Sequence, residues 1–243
     1  MKKKIFFCMT AVLVLLSSCI VVQANSYEAA NDESRAYTLR DFSAIEVSGA
    51  INVEFVQSNN QSYRVKAVGS PDMLPKLQME VRNQVLTIKQ KSDPGFHSGN
   101  HHLTVYVQAP NLQSVTASGA CDVLIRSLNA SAVRLEACGS SDVTVNQLTA
   151  NSLEVRLQGS SNARLAGKVS KAIYSCSGSS DVRAYDLKAK DVSATCSGSS
   201  DVYCFATRSV SAKASGSSDI RIKGNPVQRQ LDKSGSSDIH VLH

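Results

Sequence analysis

Gly139-Ser140-Ser141-Asp142, read as GSSD, returns at residues 178–181, 198–201, 216–219 and 235–238. Two near copies, Gly119-Ala120-Cys121-Asp122 and Gly159-Ser160-Ser161-Asn162, complete a set of seven glycines: Gly119, Gly139, Gly159, Gly178, Gly198, Gly216 and Gly235. The intervals are 18 to 20 residues. A fixed period near 20 marks a solenoid, whose repeats pack on their neighbours. The flanks decide the type of unit. Val133, Leu135 and Ala137 alternate with polar residues before one glycine, and Leu153, Val155 and Leu157 before the next. Alternation resumes after the turn at Val143 and Val145, Val202 and Cys204, Ile220 and Ile222. Period two is a strand with one buried face. Leu128, Leu148 and Leu187 mark a further bend. Each copy therefore reads as one coil of a single-stranded parallel β-helix. About seven such coils at ~4.8 Å would stack to roughly 34 Å. Right-handed winding is expected from the handedness of parallel crossovers.

In this reading GSSD is a corner. Glycine takes a positive φ without a Cβ penalty, and Ser and Asp side chains can bond nearby backbone amides. Stacking the corners lines up Asp122, Asp142, Asn162, Asp181, Asp201, Asp219 and Asp238. Adjacent carboxylates ~5 Å apart in water repel by only about 1 kcal/mol, so the column needs no metal. A structural ladder is expected, with calcium as the competing reading.

The N-terminus carries a separate message. Lys2, Lys3 and Lys4 precede an apolar run from Ile5 to Leu16, the pattern of an export signal over residues 1–24. Leu16-Ser17-Ser18-Cys19 resembles a lipobox, with Cys19 as the lipidated residue; Val22-Gln23-Ala24 offers an ordinary cleavage site. The lipoprotein reading is favoured because Cys19 sits directly at the end of the apolar run. Residues 25–36 read as a flexible tether. Removing residues 1–24 takes away three lysines and no acid, lowering the net charge from +6 to +3. That scattered, mild charge argues against nucleic acid.

Residues 37–110 are β-rich but do not keep the period, and residues 111–243 form the repeat region. Ala44–Val47 and Ile51–Val56 alternate about Gly49, Tyr63–Val68 is a further strand, and Ser70-Pro71-Asp72 opens a short helical turn. Val81 to Lys89 reads as a hairpin about Asn83-Gln84. Asp41-Phe42-Ser43-Ala44-Ile45, then Ser48-Gly49-Ala50-Ile51-Asn52-Val53, then Ala109-Pro110-Asn111-Leu112 leading into the repeats, resemble the head GIN domain family of auto-transporter adhesins. The resemblance spans about residues 38–243. It implies a pectin-lyase-like β-helix, exported and often lipid-anchored, with an adhesion role and no catalytic residues.

A reaction site on a repeat scaffold must appear as a departure from the repeat, because one reaction needs one asymmetric constellation. The departures at Ala120, Cys121, Cys138, Asn162 and Arg164 form no acid–base pair. His97, His101 and His102 lie in a polar loop and read as solvated rather than as metal ligands. Cys176 and Cys196 share an inward position in successive coils, read as a small buried ladder, with a disulfide as the alternative. Tyr185 and Tyr203 face outward, where they could contact a glycan. No cofactor is implied. The expectation is a non-enzymatic, exported binding module of the outer membrane or periplasm, meeting an unidentified protein or glycan surface. A carbohydrate-active β-helix enzyme and a purely structural envelope protein are the alternatives. The membrane is reached only through a lipid anchor, and two copies could meet end to end at the last coil, blunted by Asp232, Lys233 and His240.

Overall fold

The computed structural model describes residues 32–91 and 102–242. The expected signal with Cys19, residues 25–31 of the tether, and His97, His101 and His243 lie outside the described residues. The N-terminal strands are β1 (Glu33–Tyr37), β2 (Ala44–Gly49), β3 (Asn52–Gln57), β4 (Arg64–Gly69), β5 (Leu77–Arg82), β6 (Val85–Gln90) and β7 (Leu103–Ala109). They continue as β8 (Ser114–Gly119), β9 (Asp122–Ile125), β10 (Leu128–Gly139), β11 (Asp142–Gly159), β12 (Asn162–Gly178) and β13 (Asp181–Gly198). The last are β14 (Asp201–Gly216), β15 (Asp219–Lys223), β16 (Gln228–Gly235) and β17 (Asp238–Val241). All are hydrogen-bonded into one sheet system, and consecutive coils pair in parallel from β8 to β17. The all-β solenoid read from the period is the fold observed. Its seven repeat corners, Gly119 to Gly235, enclose six full turns.

The corner geometry explains the glycine. Gly139 sits at φ +82°, and a Cβ added there would lie 2.6 Å from the carbonyl oxygen of Gly119. Both a left-handed backbone and a close approach to the coil beneath exclude a side chain. The freed space lets the amide after each glycine reach the glycine carbonyl of the preceding coil: Ser140 N donates to Gly119 O at 2.7 Å and Ser199 N to Gly178 O at 2.8 Å. At the further bend Gly167 (φ +129°) replaces the leucine of the neighbouring coils, where a Cβ would meet Leu148 O at 2.1 Å.

Two sequence-based boundaries are corrected. Glu33–Tyr37, placed largely in the tether, forms β1 and pairs antiparallel with β4. Residues 37–110 were expected to stand outside the repeat, yet β2 pairs in parallel with β8 and β3 with β9. Gly49, at φ +115°, stacks under Gly119, so Gly49-Ala50-Ile51-Asn52 is an eighth corner of the same ladder. The period is hidden because β4 to β7 are inserted between the first corner's strands and those of the second. The sequence signal is Ser48-Gly49-Ala50 matching Ser118-Gly119-Ala120. The insertion closes the stack: β6 and β7 add in parallel to β2 and β3, and β5 and β4 then reverse direction. Asn83 and Gln84, both at positive φ, make the expected two-residue hairpin turn between β5 and β6. The expected helical turn is a 3-10 turn at Leu74–Lys76.

One core cluster runs from Phe42 to Ile222, continuous across residue 110. One inward column narrows in mid-stack: Phe55, Ile125, Val145 and Leu165 give way to Ala184 and Cys204 before Ile222 widens it again. Tyr174 fills the space beside the small residues. Its neighbour in register on the next coil is Ala194, and its ring is fully buried. The hydroxyl finds no hydrogen-bond partner among the described residues, and burial pushes its pKa far up, with the Cys204 and Cys176 thiols adding to the effect. At the other end β16 is exposed along its length and pairs only with β14, while β17 pairs only with β15.

Gly139→Ala is expected to destabilise the fold by about 1–3 kcal/mol, since strain and steric conflict act together. Ser140→Ala at the exposed neighbour should move the urea midpoint little. Tyr174→Phe deletes a buried, unpartnered hydroxyl and is expected to raise stability by about 1 kcal/mol. A lowered midpoint for that variant would show that the hydroxyl has a partner.

Candidate functional site

Each corner places its four residues differently. The glycine and second residue are exposed, the third points into the core, and the fourth starts the next strand outward. The third-position serines, Ser141, Ser161, Ser180, Ser200 and Ser218, are fully buried. Their equivalents in the first two corners are Ile51 and Cys121, also buried. A buried hydroxyl needs a partner. Ser200 Oγ donates to Ser197 O at 3.1 Å, Ser218 Oγ to Ser215 O at 2.9 Å and Ser237 Oγ to Ser234 O at 2.8 Å. Side chains of the corner also accept backbone amides, as expected, but across coils: Ser141 Oγ accepts from Cys121 N at 3.2 Å and Ser200 Oγ from Ser180 N at 3.4 Å. The amides after the glycines bond the preceding coil, and most of the serines tie down the carbonyl three residues earlier.

The fourth-position column is Asn52, Asp122, Asp142, Asn162, Asp181, Asp201, Asp219 and Asp238. It is held by hydrogen bonds and cations. Asp142 Oδ1 accepts from the Asn162 amide N–H at 3.1 Å and from its side-chain Nδ2 at 2.9 Å. Asp201 Oδ1 accepts from the Asp219 amide at 3.0 Å. Arg183 reaches Asp181 at 3.4 Å, Arg221 reaches Asp219 at 3.1 Å and Lys233 reaches Asp238 at 2.8 Å. The Lys233 hydrogen bond lowers the Asp238 pKa. Asp122 has no such cation among the described residues, and partial burial followed by the Asp142 charge raises its pKa. No group of three or more His, Cys, Asp or Glu side chains is arranged to hold a metal ion among the described residues. His102 Nε2 is 2.5 Å from Asp32 Oδ2, so this histidine is tied to the segment preceding β1.

Outward columns on the other faces are also paired across coils. Arg134 and Arg156 interlock with Glu136 and Glu154, the shortest contacts being 2.9 Å for Arg134–Glu154 and 2.6 Å for Arg156–Glu154. Arg126 bridges to Glu54 at 2.9 Å. Arg208 grips Asp191 through two nitrogens and Ser209 adds a bond of 2.7 Å; the Arg208 bonds come first in lowering the Asp191 pKa to about 2. A shallow groove of about 810 Å³ runs beside Arg134, Asn129 and Pro110. Gln57 forms its edge, donating to Pro110 O and Asn129 O at 3.0 Å and accepting from Asn129 N at 2.8 Å.

The five described cysteines are free thiols. Cys176 and Cys196 are in register, as their position in the repeat predicts. The Cys176 bond and then burial push the Cys196 pKa up, and burial pushes Cys204 up to about 12. Both lack the thiolate character of a nucleophile. Tyr185 and Tyr203 do face outward, side by side, with ring centroids 5.6 Å apart. Sequence reasoning missed that the cations Arg221 and Lys223 come to rest on these rings, at 5.4 and 4.2 Å from the centroids.

Fold and surface together define a single-stranded β-solenoid that presents columns of repeated, mutually paired side chains. Residues 41–226 match the family model described as putative auto-transporter adhesin, head GIN domain, and the chain belongs to that family. Among solved structures it is similar to a putative adhesin from Bacteroides fragilis, at 23% identity over 88% of this chain and 99% of that one, with a TM-score of 0.82. A putative adhesin from Parabacteroides merdae (21% identity, 88% and 98% covered) and a putative lipid binding protein from Parabacteroides distasonis (20%, 89% and 98%) each superpose with a TM-score of 0.68. At these identities the likeness concerns the fold. No curated protein matches the sequence. No helix among the described residues is long and apolar enough to cross a membrane.

Asp122 tests the acid column. Its carboxylate is disfavoured by the fold, so Asp122→Asn is expected to raise the melting temperature at neutral pH. The gain should vanish in acid strong enough to protonate the native aspartate. Asn fits the position, as Asn52 and Asn162 show. A loss of stability at neutral pH would mean that the carboxylate accepts a bond the fold needs.

Proposed function

We propose that the chain is an exported, non-enzymatic binding module of the cell envelope that works by adhesion through its outer face. One observation carries this reading: the outward polar groups form columns that repeat from coil to coil and are paired with their neighbours. Such a surface suits an extended partner. A hydrolase or lyase would need a general acid and base set apart from the repeat in a cleft, with separate environments tuning their pKa values. The basic start, the apolar run and Cys19 supply export and a lipid anchor under this reading.

The family description supports adhesion. A relative described as lipid binding suggests a second role, but here the core is filled by its own side chains from Phe42 to Ile222. Lipid therefore enters this reading at Cys19.

Beads coated with the exported chain are expected to adhere to cells or to immobilised surface extracts above uncoated beads, without releasing product from polysaccharides. Intact producing cells should incorporate labelled palmitate into the wild type and not into Cys19→Ala. Turnover of a polysaccharide, or beads that adhere no better than bare ones, would overturn the reading.

A further inference from the structure

The coil from Gly198 to Gly216 is 18 residues, against 20 for the coil before it, from Gly178 to Gly198. The register between the two coils shifts at two places, and the larger shift, three residues on β13, follows Ala184; a smaller one of one residue on β14 follows Ala189. Ala184 pairs with Cys204, but the next pair is Lys188 with Phe205, so Tyr185, Asp186 and Leu187 have no partner on β14. Leu187 still enters the core, while Tyr185 and Asp186 bulge outward. This is an asymmetric departure from the repeat on the outer face, the place where a repeat scaffold can hold a specific site.

The departure collects the aromatic residues. Beyond residue 120 the chain has four aromatics: Tyr174 is in the core, and Tyr185, Tyr203 and Phe205 all lie on this one face. Tyr185 and Tyr203 meet edge to face, at 74°. Their rings are held in place from the next coil. Arg221 Nη1 donates to Tyr203 Oη at 3.2 Å, and Tyr203 Oη donates to Asp201 Oδ2 at 3.1 Å. Lys223 lies over Tyr185, and the Phe205 ring packs against Gly224, where a Cβ would come within 2.7 Å of it. Between the two tyrosines, Arg183 and Asp186 is an open cavity of about 220 Å³.

We propose that the cavity bounded by Tyr185, Tyr203, Arg183 and Asp186 is a contact site for one ring of a neutral glycan, a specific site within the binding role proposed above. A sugar ring offers an apolar C–H face and a rim of hydroxyls, each both donor and acceptor. The two ordered aromatic rings form a corner for the first. Arg183 as donor and Asp186 as acceptor serve the second. The cavity is below the 300–1,000 Å³ of ordinary drug-sized pockets, which suits a single ring. The charge balance selects neutral over acidic sugars. Arg183 and Arg221 are already paired with Asp181 and Asp219, Lys223 is engaged by Tyr185, and Asp186 has no ion-pair partner among the described residues. A net surplus of cations, which an acidic sugar would require, is absent from this patch.

The test uses the full exported chain on an array of immobilised neutral, uronate-bearing and sulfated oligosaccharides. Neutral oligosaccharides are expected to bind. Tyr185→Ala and Tyr203→Ala should each weaken that binding about tenfold or more, as for aromatic anchors at other contact sites. Tyr203→Phe keeps the ring and should retain most of it. Arg82→Ala, exposed in the inserted β5–β6 hairpin, should change nothing. Arg183→Ala, at the exposed rim, reads the site without altering a ring, and melting curves confirm that each variant is folded. Binding that survives both alanine variants, strongest binding to the charged sugars, or no binding to the array would each overturn the proposal. If the wild-type beads still adhere in any of these cases, the glycan site falls and the wider binding role stands; if they do not, both fall.

Discussion

Successive corners approach so closely that the carbonyl oxygen of one glycine would touch a Cβ on the next, at 2.6–2.9 Å along the ladder from Gly119 to Gly235. The same approach places that oxygen 2.7–2.8 Å from the amide after the following glycine. Parallel strands must otherwise lose their hydrogen-bond ladder where the chain bends, because a bend aims amides and carbonyls away from the neighbouring strand. Glycine at positive φ keeps the bond running through the bend. Everything outward of the corner inherits its register from this contact, including the paired columns of charge.

Inside, the corner creates a second requirement. The third residue is aimed at the core, while the backbone around it is still turning and exposes a carbonyl to an apolar interior. Serine meets this with its own hydroxyl, in most coils bonding the carbonyl three residues earlier. Cys121 does the same with sulfur, at 3.3 Å from Ser118 O, and Ile51 forgoes the bond at the first corner. The Ser ladder is thus a polar column within a hydrophobic core, and the repeat of GSSD reflects that packing rather than shared chemistry.

The surface is built from the same stacking, which makes near copies of every side chain. Opposite charges one coil apart, as at Arg134, Glu136, Glu154 and Arg156, neutralise one another in register. Exposed pairs of this kind contribute little stability, typically about 0–1 kcal/mol each. Their effect is on the surface presented to a partner: broad, balanced in charge and without a deep cleft. The repeat loses its symmetry where a coil changes length, and the tyrosine pair stands beside the shortest one.

Chain chemistry alone determined the solenoid, because a 20-residue period with period-two flanks has no other economical packing. It also determined the corner, the inward stacking of Cys176 on Cys196, and the outward direction of Tyr185 and Tyr203, since alternation fixes the face of a strand residue. The membership of Gly49 in the ladder was legible only as the short match of Ser48-Gly49-Ala50 to Ser118-Gly119-Ala120, obscured by the inserted β4 to β7. The tertiary structure decided what depends on neighbours far apart in sequence. β1 became a strand because β4 offered a free edge, and Tyr174 could be buried because Ala194 beside it is small. Arg221 came to rest on Tyr203 because the two are in register on adjacent coils, and Lys223 reached Tyr185, two coils away, where the register shifts between Ala184 and Lys188. Periodicity tells each residue which way it faces; only the stacking of unequal coils tells it what it meets.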